Sequence, residues 1–238
     1  MRPRERFGAL VALAVLSVGA GIAQADPVDL KPFKATYSAE WKGMNAATSV
    51  LELKAAGADT YTYTSTNSAR GLFRMAFPDS LSQTSTFRVS DGKVVPISFR
   101  GTDEKDREIT LDFDWTKNRV TGKAKDHDVD LALPAGAQDA MSMQIASLRN
   151  LAAGKLEPIG WMVDSDKLKE FELRQEGSAR ITTALGDLDT VIYTSRRPNS
   201  DRVTRTWVAP ALGYLPVKAE RLRGTKVEFT LKLDAVDR

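Results

Sequence analysis

The residue types that could do chemistry in this chain are few. Its sole histidine, His127, lies in the run Lys125-Asp126-His127-Asp128-Val129-Asp130. A zinc site draws on three or four protein ligands, mostly Cys and His, and the chain has no Cys. The Asp126-x-Asp128-x-Asp130 spacing offers oxygens to calcium, but the glycine and distal glutamate of an EF-hand loop are missing. The run reads as a surface hairpin, and no metal site is assigned. Serine catalysis needs a base and an oxyanion hole as well as the serine. There is no G-x-S-x-G elbow, and Ser142 and Ser147 fall on a predicted helix. The densest carboxylates, Asp103, Glu104, Asp106 and Glu108, alternate with Lys105 and Arg107. That pattern is a solvated turn more simply than a glycosidase pair. Neither a phosphate-binding glycine loop nor a dinucleotide fingerprint occurs. No catalytic residue is assigned, no cofactor is expected, and an envelope-polymer hydrolase is the least supported reading.

What remains is apolar chemistry. Trp41, Trp115, Trp161 and Trp207 each sit in a strand-like run. Aromatic residues so placed form core or rim, and they can also line a cavity for an apolar ligand. The candidate lining set is Trp41, Phe113, Trp115, Met141, Ile145 and Trp207.

The elements that must position these residues are mainly strands. Ile109, Leu111, Phe113 and Trp115 alternate with Thr110, Asp112 and Asp114, and Val227, Phe229, Leu231 and Leu233 alternate with Glu228, Thr230 and Lys232. Period-two alternation marks a strand with one dry and one wet face, as in antiparallel sheets. Asp91-Gly92, Lys117-Asn118, Gly186-Asp187 and Arg223-Gly224 supply hairpin signals between such runs. About a dozen strands are expected, with runs at 47–55, 106–116, 168–175 and 178–185 among them. One stretch breaks the pattern. Met141, Ile145, Leu148 and Leu151 recur at helical spacing within 138–153, behind Asp139 as N-cap and ahead of Gly154 as stop. A short turn or helix is expected at 70–76. The expected fold is mainly β: a curved antiparallel sheet forming an open or half barrel, with one amphipathic helix (138–152) packed on or in it.

The chain opens with Arg2, Arg4 and Arg6, continues with an apolar run from Phe7 to Ile22, and reaches Ala23-Gln24-Ala25. A basic region, an apolar region and a small-x-small triplet in that order make a secretory signal peptide. Cleavage is expected between Ala25 and Asp26. The apolar run is shorter than the ~20 residues of a membrane span, so no stable membrane anchor is expected, and without Cys the chain cannot be lipidated. Residues 1–25 are thus read as signal peptide and 26–238 as a single β-rich periplasmic domain. The formal net charge of +3 includes three arginines and one glutamate of that segment, so the remainder is near +1. A near-neutral chain gives no electrostatic case for nucleic acid. Without disulfides, packing alone holds the fold.

Several stretches together carry a family likeness. They are Tyr37-Ser38-Ala39-Glu40-Trp41-Lys42-Gly43, Val95-Pro96-Ile97-Ser98-Phe99, Leu133-Pro134-Ala135-Gly136-Ala137-Gln138-Asp139, Thr183-Ala184-Leu185-Gly186-Asp187 and Trp207-Val208-Ala209-Pro210. In this order the chain resembles an exported bacterial domain-of-unknown-function family, number 3108, over the whole of 26–238. The resemblance implies a curved sheet similar to the half-barrels of periplasmic lipoprotein carriers, and it brings no catalytic residues. The expectation is a non-enzymatic periplasmic protein that binds or shields an apolar envelope component, a lipid or acyl chain. The alternative is a structural module that docks an envelope protein partner.

Overall fold

The computed structural model describes residues 30–76, 80–102 and 107–238. The expected signal peptide, its expected cleavage bond and the acids of 103–106 lie outside the described residues.

Fifteen strands follow in chain order. They are β1 (Phe33–Trp41), β2 (Met44–Ala55), β3 (Thr60–Ala69), β4 (Leu81–Ser90), β5 (Lys93–Thr102), β6 (Glu108–Asp114), β7 (Arg119–Ala124) and β8 (His127–Ala132), then β9 (Gln138–Asp139), β10 (Ile159–Asp164), β11 (Lys167–Thr183), β12 (Gly186–Arg196), β13 (Arg202–Ala209), β14 (Leu215–Arg223) and β15 (Lys226–Asp237). Among the described residues two α-helices, α1 (Phe73–Ala76) and α2 (Ser142–Ala152), and one 3-10 turn at Pro210–Leu212 interrupt them. All the strands join one open sheet, ordered β8-β7-β6-β5-β4-β3-β2-β1-β15-β14-β13-β12-β11-β10-β9. The first and last long strands meet at its centre, where Tyr37 pairs with Leu233 and Trp41 with Phe229. Every neighbouring pair is antiparallel except β9 with β10.

The alternation in the sequence is what builds this sheet. In β1, Ala35, Tyr37 and Ala39 are buried on one face while Lys34, Thr36 and Ser38 turn outward. Tight hairpins join strands where two successive residues take positive φ: Lys42-Gly43, Asp91-Gly92 and Lys125-Asp126. That backbone twist matches the twist of the flanking strands. The His127 run is therefore the β7–β8 hairpin, with His127 exposed. Among the described residues no three His, Asp or Glu side chains converge as metal ligands would. The close pairing of β6 with β7 depends on Gly122, because a Cβ there would lie 1.8 Å from the Thr110 carbonyl oxygen.

Three expectations need correction. The runs at 168–175 and 178–185 are one strand, β11, which continues through a bulge between Gln175 and Gly177. A bulge leaves a residue unpaired without ending the strand, and Gly177 looks like a terminus in a one-dimensional pattern. Trp115 is not in β6 but in the turn after it, where its Nε1 donates to the Pro96 carbonyl at 2.7 Å and its ring stacks on Phe113. The helix begins at Ser142 rather than 138, because Gln138 and Asp139 are extended and pair with Met162 and Val163 of β10.

Candidate functional site

The concave face of the sheet has a closed part and an open part. In the closed part, α2 lies against β4, β5 and β9. Met141 is 2% exposed and Ile145 is 0% exposed, and both pack in one cluster with Tyr63, Phe87, Phe99, Leu111, Phe113 and Val163. Asp139 fastens the helix. Its Oδ1 accepts the Met141 and Ser142 backbone N–H groups, each at 2.8 Å, and its Oδ2 accepts the Ser85 hydroxyl at 2.6 Å. These are the orphan donors of a helix start, so the carboxylate serves the fold. Burial pushes its pKa up, against the pull of those hydrogen bonds. Beside it, Gln138 Nε2 donates to the Val94 carbonyl at 2.9 Å and ties β9 across to β5. The end of α2 reaches the other half of the sheet, where Leu151 joins a small cluster with Tyr193 and Val208.

Burial then falls along the strands at the centre of the sheet. On β1 it runs from buried Ala35, Tyr37 and Ala39 to half-buried Trp41; on β15 from buried Leu233 to half-buried Leu231 and Phe229; on β14 from buried Leu215 and Val217 to half-buried Ala219 and exposed Arg221. The strand registers line these positions up. One row crosses the sheet as Ala69, Ala47, Ala39, Leu231, Ala219 and Thr206. The next row toward the hairpin tips reads Met44, Trp41, Phe229, Arg221 and Thr204. Residues paired across strands share a face, so these two rows floor a shallow trough of alanine, leucine and aromatic side chains. Its mouth is cationic. Lys42 Nζ lies 5.8 Å from the Trp41 ring centroid, and the Arg221 guanidinium lies 5.6 Å from that of Phe229, both within cation–π range.

The six residues singled out from sequence are divided by this geometry. Trp41 alone lies in the open trough. Met141, Ile145 and Phe113 fill the closed part, and Trp115 sits in the turn beyond Phe113. Trp207 belongs to the same core cluster as Phe113, Met141 and Ile145; it lies on the face of β13 opposite Thr206 and Val208, beside Ile192, with Lys218 Nζ 4.5 Å from its ring centroid. Sequence reasoning missed Ala47, Ala69, Ala219 and Arg221. The available signal was in the alternation itself: small residues at dry-face positions mark places where the sheet has no bulky neighbour to meet. The two best-formed recesses among the described residues are elsewhere, on the surface, and both are polar.

Comparisons with known proteins bear on the family and not on the trough. No curated protein matches the chain. A solved structure from Bacteroides fragilis NCTC 9343, described as a candidate exported protein with a YmcC-like fold, is similar at a TM-score of 0.39 and 11% identity, over 88% of this chain and 97% of that one. The model of the family described as "Protein of unknown function (DUF3108)" matches residues 36–232. The strands, bulges and helix described above all fall within or beside that span, and the chain belongs to this family.

Proposed function

We propose that this chain is an exported, non-enzymatic protein of the cell envelope that holds an apolar envelope component, an acyl chain bearing an acidic head, in the open trough. The observation that carries the reading is the pair of rows on the concave face: small and apolar residues behind, aromatic residues and cations in front. An acyl chain laid on Ala47, Leu231 and Trp41 removes apolar surface from water at about 0.8 kcal/mol per CH₂. Its head would then lie near Arg221 and Lys42. The closed part contributes rigidity and no binding space, since α2 fills it.

Strand addition, one of the two ways in which the alternative structural or interaction module would dock an envelope protein, finds less support. The exposed edge strand β8 carries His127, Asp128 and Asp130, with Asp130 paired to Arg119 at 2.6 Å. Charges on an edge discourage strand addition. The other edge, β9, is only two residues long.

The test is a titration of the protein with a medium-chain fatty acid, followed by tryptophan fluorescence, together with mass spectrometry of lipid extracted from protein recovered from its native envelope. The expected result is a fluorescence change that disappears in Trp41→Phe, and an acyl species in the extract. A protein that yields no acyl species and whose Trp41 signal never moves overturns the reading.

A further inference from the structure

The hairpin tips at the mouth of the trough carry a second pattern. The β3–β4 connection, the β1–β2 turn and the β14–β15 turn stand next to one another along one rim, since β3, β2, β1, β15 and β14 are neighbours in the sheet. Leu72 and Met75 are each 84% exposed, Met44 56% and Val227 41%. A large apolar side chain left this open is costly on a solvated surface, and a group of them marks an interaction site. Interleaved with them are the exposed bases Lys42, Arg70, Arg74, Arg221, Arg223 and Lys226. The described acids on the same tips are Asp201 and Glu228, and Glu228 is engaged by Arg202 and Arg223. The far ends of the same sheet are mixed in charge: their turns carry Asp59, Asp91 and Asp187 together with Lys93 and Lys117.

One of the two polar recesses lies at the β3–β4 connection, lined by Thr48, Ser68, Ala69, Arg70, Arg74 and Ser80. Among the described residues no carboxylate lines it. The Ser68 and Ser80 hydroxyls are 2.7 Å apart, and Thr48 Oγ1 is buried with no hydrogen-bond partner. An unmet buried hydroxyl calls for a partner. Two guanidinium groups and three hydroxyls are donors suited to a phosphate monoanion. Exposed Leu72 and Met75, one or two residues along the chain from its arginines, suit a phosphate whose other substituent is apolar.

We propose that this rim docks on an anionic phospholipid surface, with one lipid phosphate seated among Thr48, Ser68, Arg70, Arg74 and Ser80, and with Leu72 and Met75 entering the interface beside it. The docked rim sets the mouth of the trough against the lipid, and in that respect the inference rests on the reading above. Basic residues at a surface attract anionic lipid, and the apolar pair adds an anchor that salt does not screen.

The experiment is cosedimentation of residues 26–238 with vesicles of phosphatidylcholine alone or mixed with phosphatidylglycerol. Binding to the mixed vesicles is expected. The Arg70→Ala/Arg74→Ala variant is expected to bind about tenfold more weakly. Leu72→Ser/Met75→Ser is expected to lose the binding that survives at high salt, whereas Lys93→Ala at the far end changes nothing. All the substituted side chains are exposed, and an unchanged melting temperature confirms the fold of each variant. Equal binding to both vesicle types, or wild-type binding by both double variants, overturns the inference. So does a protein that takes inorganic phosphate yet leaves both vesicle types unbound. Vesicle binding without a Trp41 response to fatty acid keeps the docking surface and discards the trough reading; the reverse result discards the docking surface alone.

Discussion

Tyr37 and Trp41 lie on the same face of the same strand, one turn of alternation apart from Ala39 between them, and they live in different surroundings. Tyr37 is 0% exposed, its hydroxyl donates to the Pro216 carbonyl at 3.0 Å, and burial pushes its pKa well up. Trp41 is half-buried, with a lysine over its ring. The register with β2 shifts between Ala39 and Glu40, and Tyr37 belongs to the core cluster that also holds Met141 and Ile145, whereas Trp41 lies beyond it. Where the helix lies on the sheet, large side chains interlock; where it stops, the same face carries alanines and a fringe of cations. The closed part behaves as a core, and the open part as a binding floor.

Matched truncations give the sharpest contrast. Ile145→Ala in the closed part should cost about 4 kcal/mol, the range for a fully buried aliphatic whose cavity cannot collapse, read by urea unfolding. Gly122→Ala should cost about 3 kcal/mol by the same measurement, since its Cβ must push the Thr110 carbonyl aside and break the β6–β7 pairing. In the open part, Leu231→Ala should cost about 1 kcal/mol, because half of its surface cost is already met by water in the folded state. It should still weaken fatty-acid binding. A loss at position 231 equal to that at position 145 would erase the distinction between the two parts.

Asp139 allows a subtler measurement. A carboxyl held above its ordinary pKa in the fold binds its proton more tightly there than in the unfolded chain. Its contribution to stability is therefore present below the ordinary carboxylate value and is lost as pH rises through the folded value. Asp139→Asn keeps an acceptor for the Met141 and Ser142 N–H groups and removes this titration. Denaturation across pH should show the wild type losing ground to the variant as pH rises above the carboxylate range. A constant difference at all pH would mean that the fastener does not titrate. Asp166 runs the other way: the Lys125 ammonium, 2.7 Å away, holds its pKa down. Its smaller, exposed contribution is lost as pH falls, and Lys125→Ala should flatten only the acid side of the curve.

Much of the fold was legible because it is written in nearest-neighbour terms. The alternation of β6 and β15, the positive-φ turn at Asp91-Gly92 and the helical spacing of Met141, Ile145 and Leu148 each follow from what a short segment can bury or hydrogen-bond by itself. The Gln175–Gly177 bulge was hidden because a paired neighbour, β12, carries the strand across it. β10 was hidden because its short run Ile159–Asp164 mixes exposed and half-buried positions without a clean period.

By itself, then, the amino-acid order determined a mainly antiparallel sheet, one amphipathic helix, and a chain with few residues suited to catalysis. It also carried the family likeness that the match over residues 36–232 establishes. Tertiary structure alone decided which dry-face residues became core and which became floor. Alternation tells which side of a strand is apolar, but not whether another element arrives to cover it. That depends on where α2 lies and where it ends, and so on the long-range ties of Asp139 to Ser85 and Gln138 to Val94 that hold it there. Ala47 and Leu53 share one strand and one apolar pattern, and only the extent of the packed cluster that α2 helps to close makes the first a floor and the second a core.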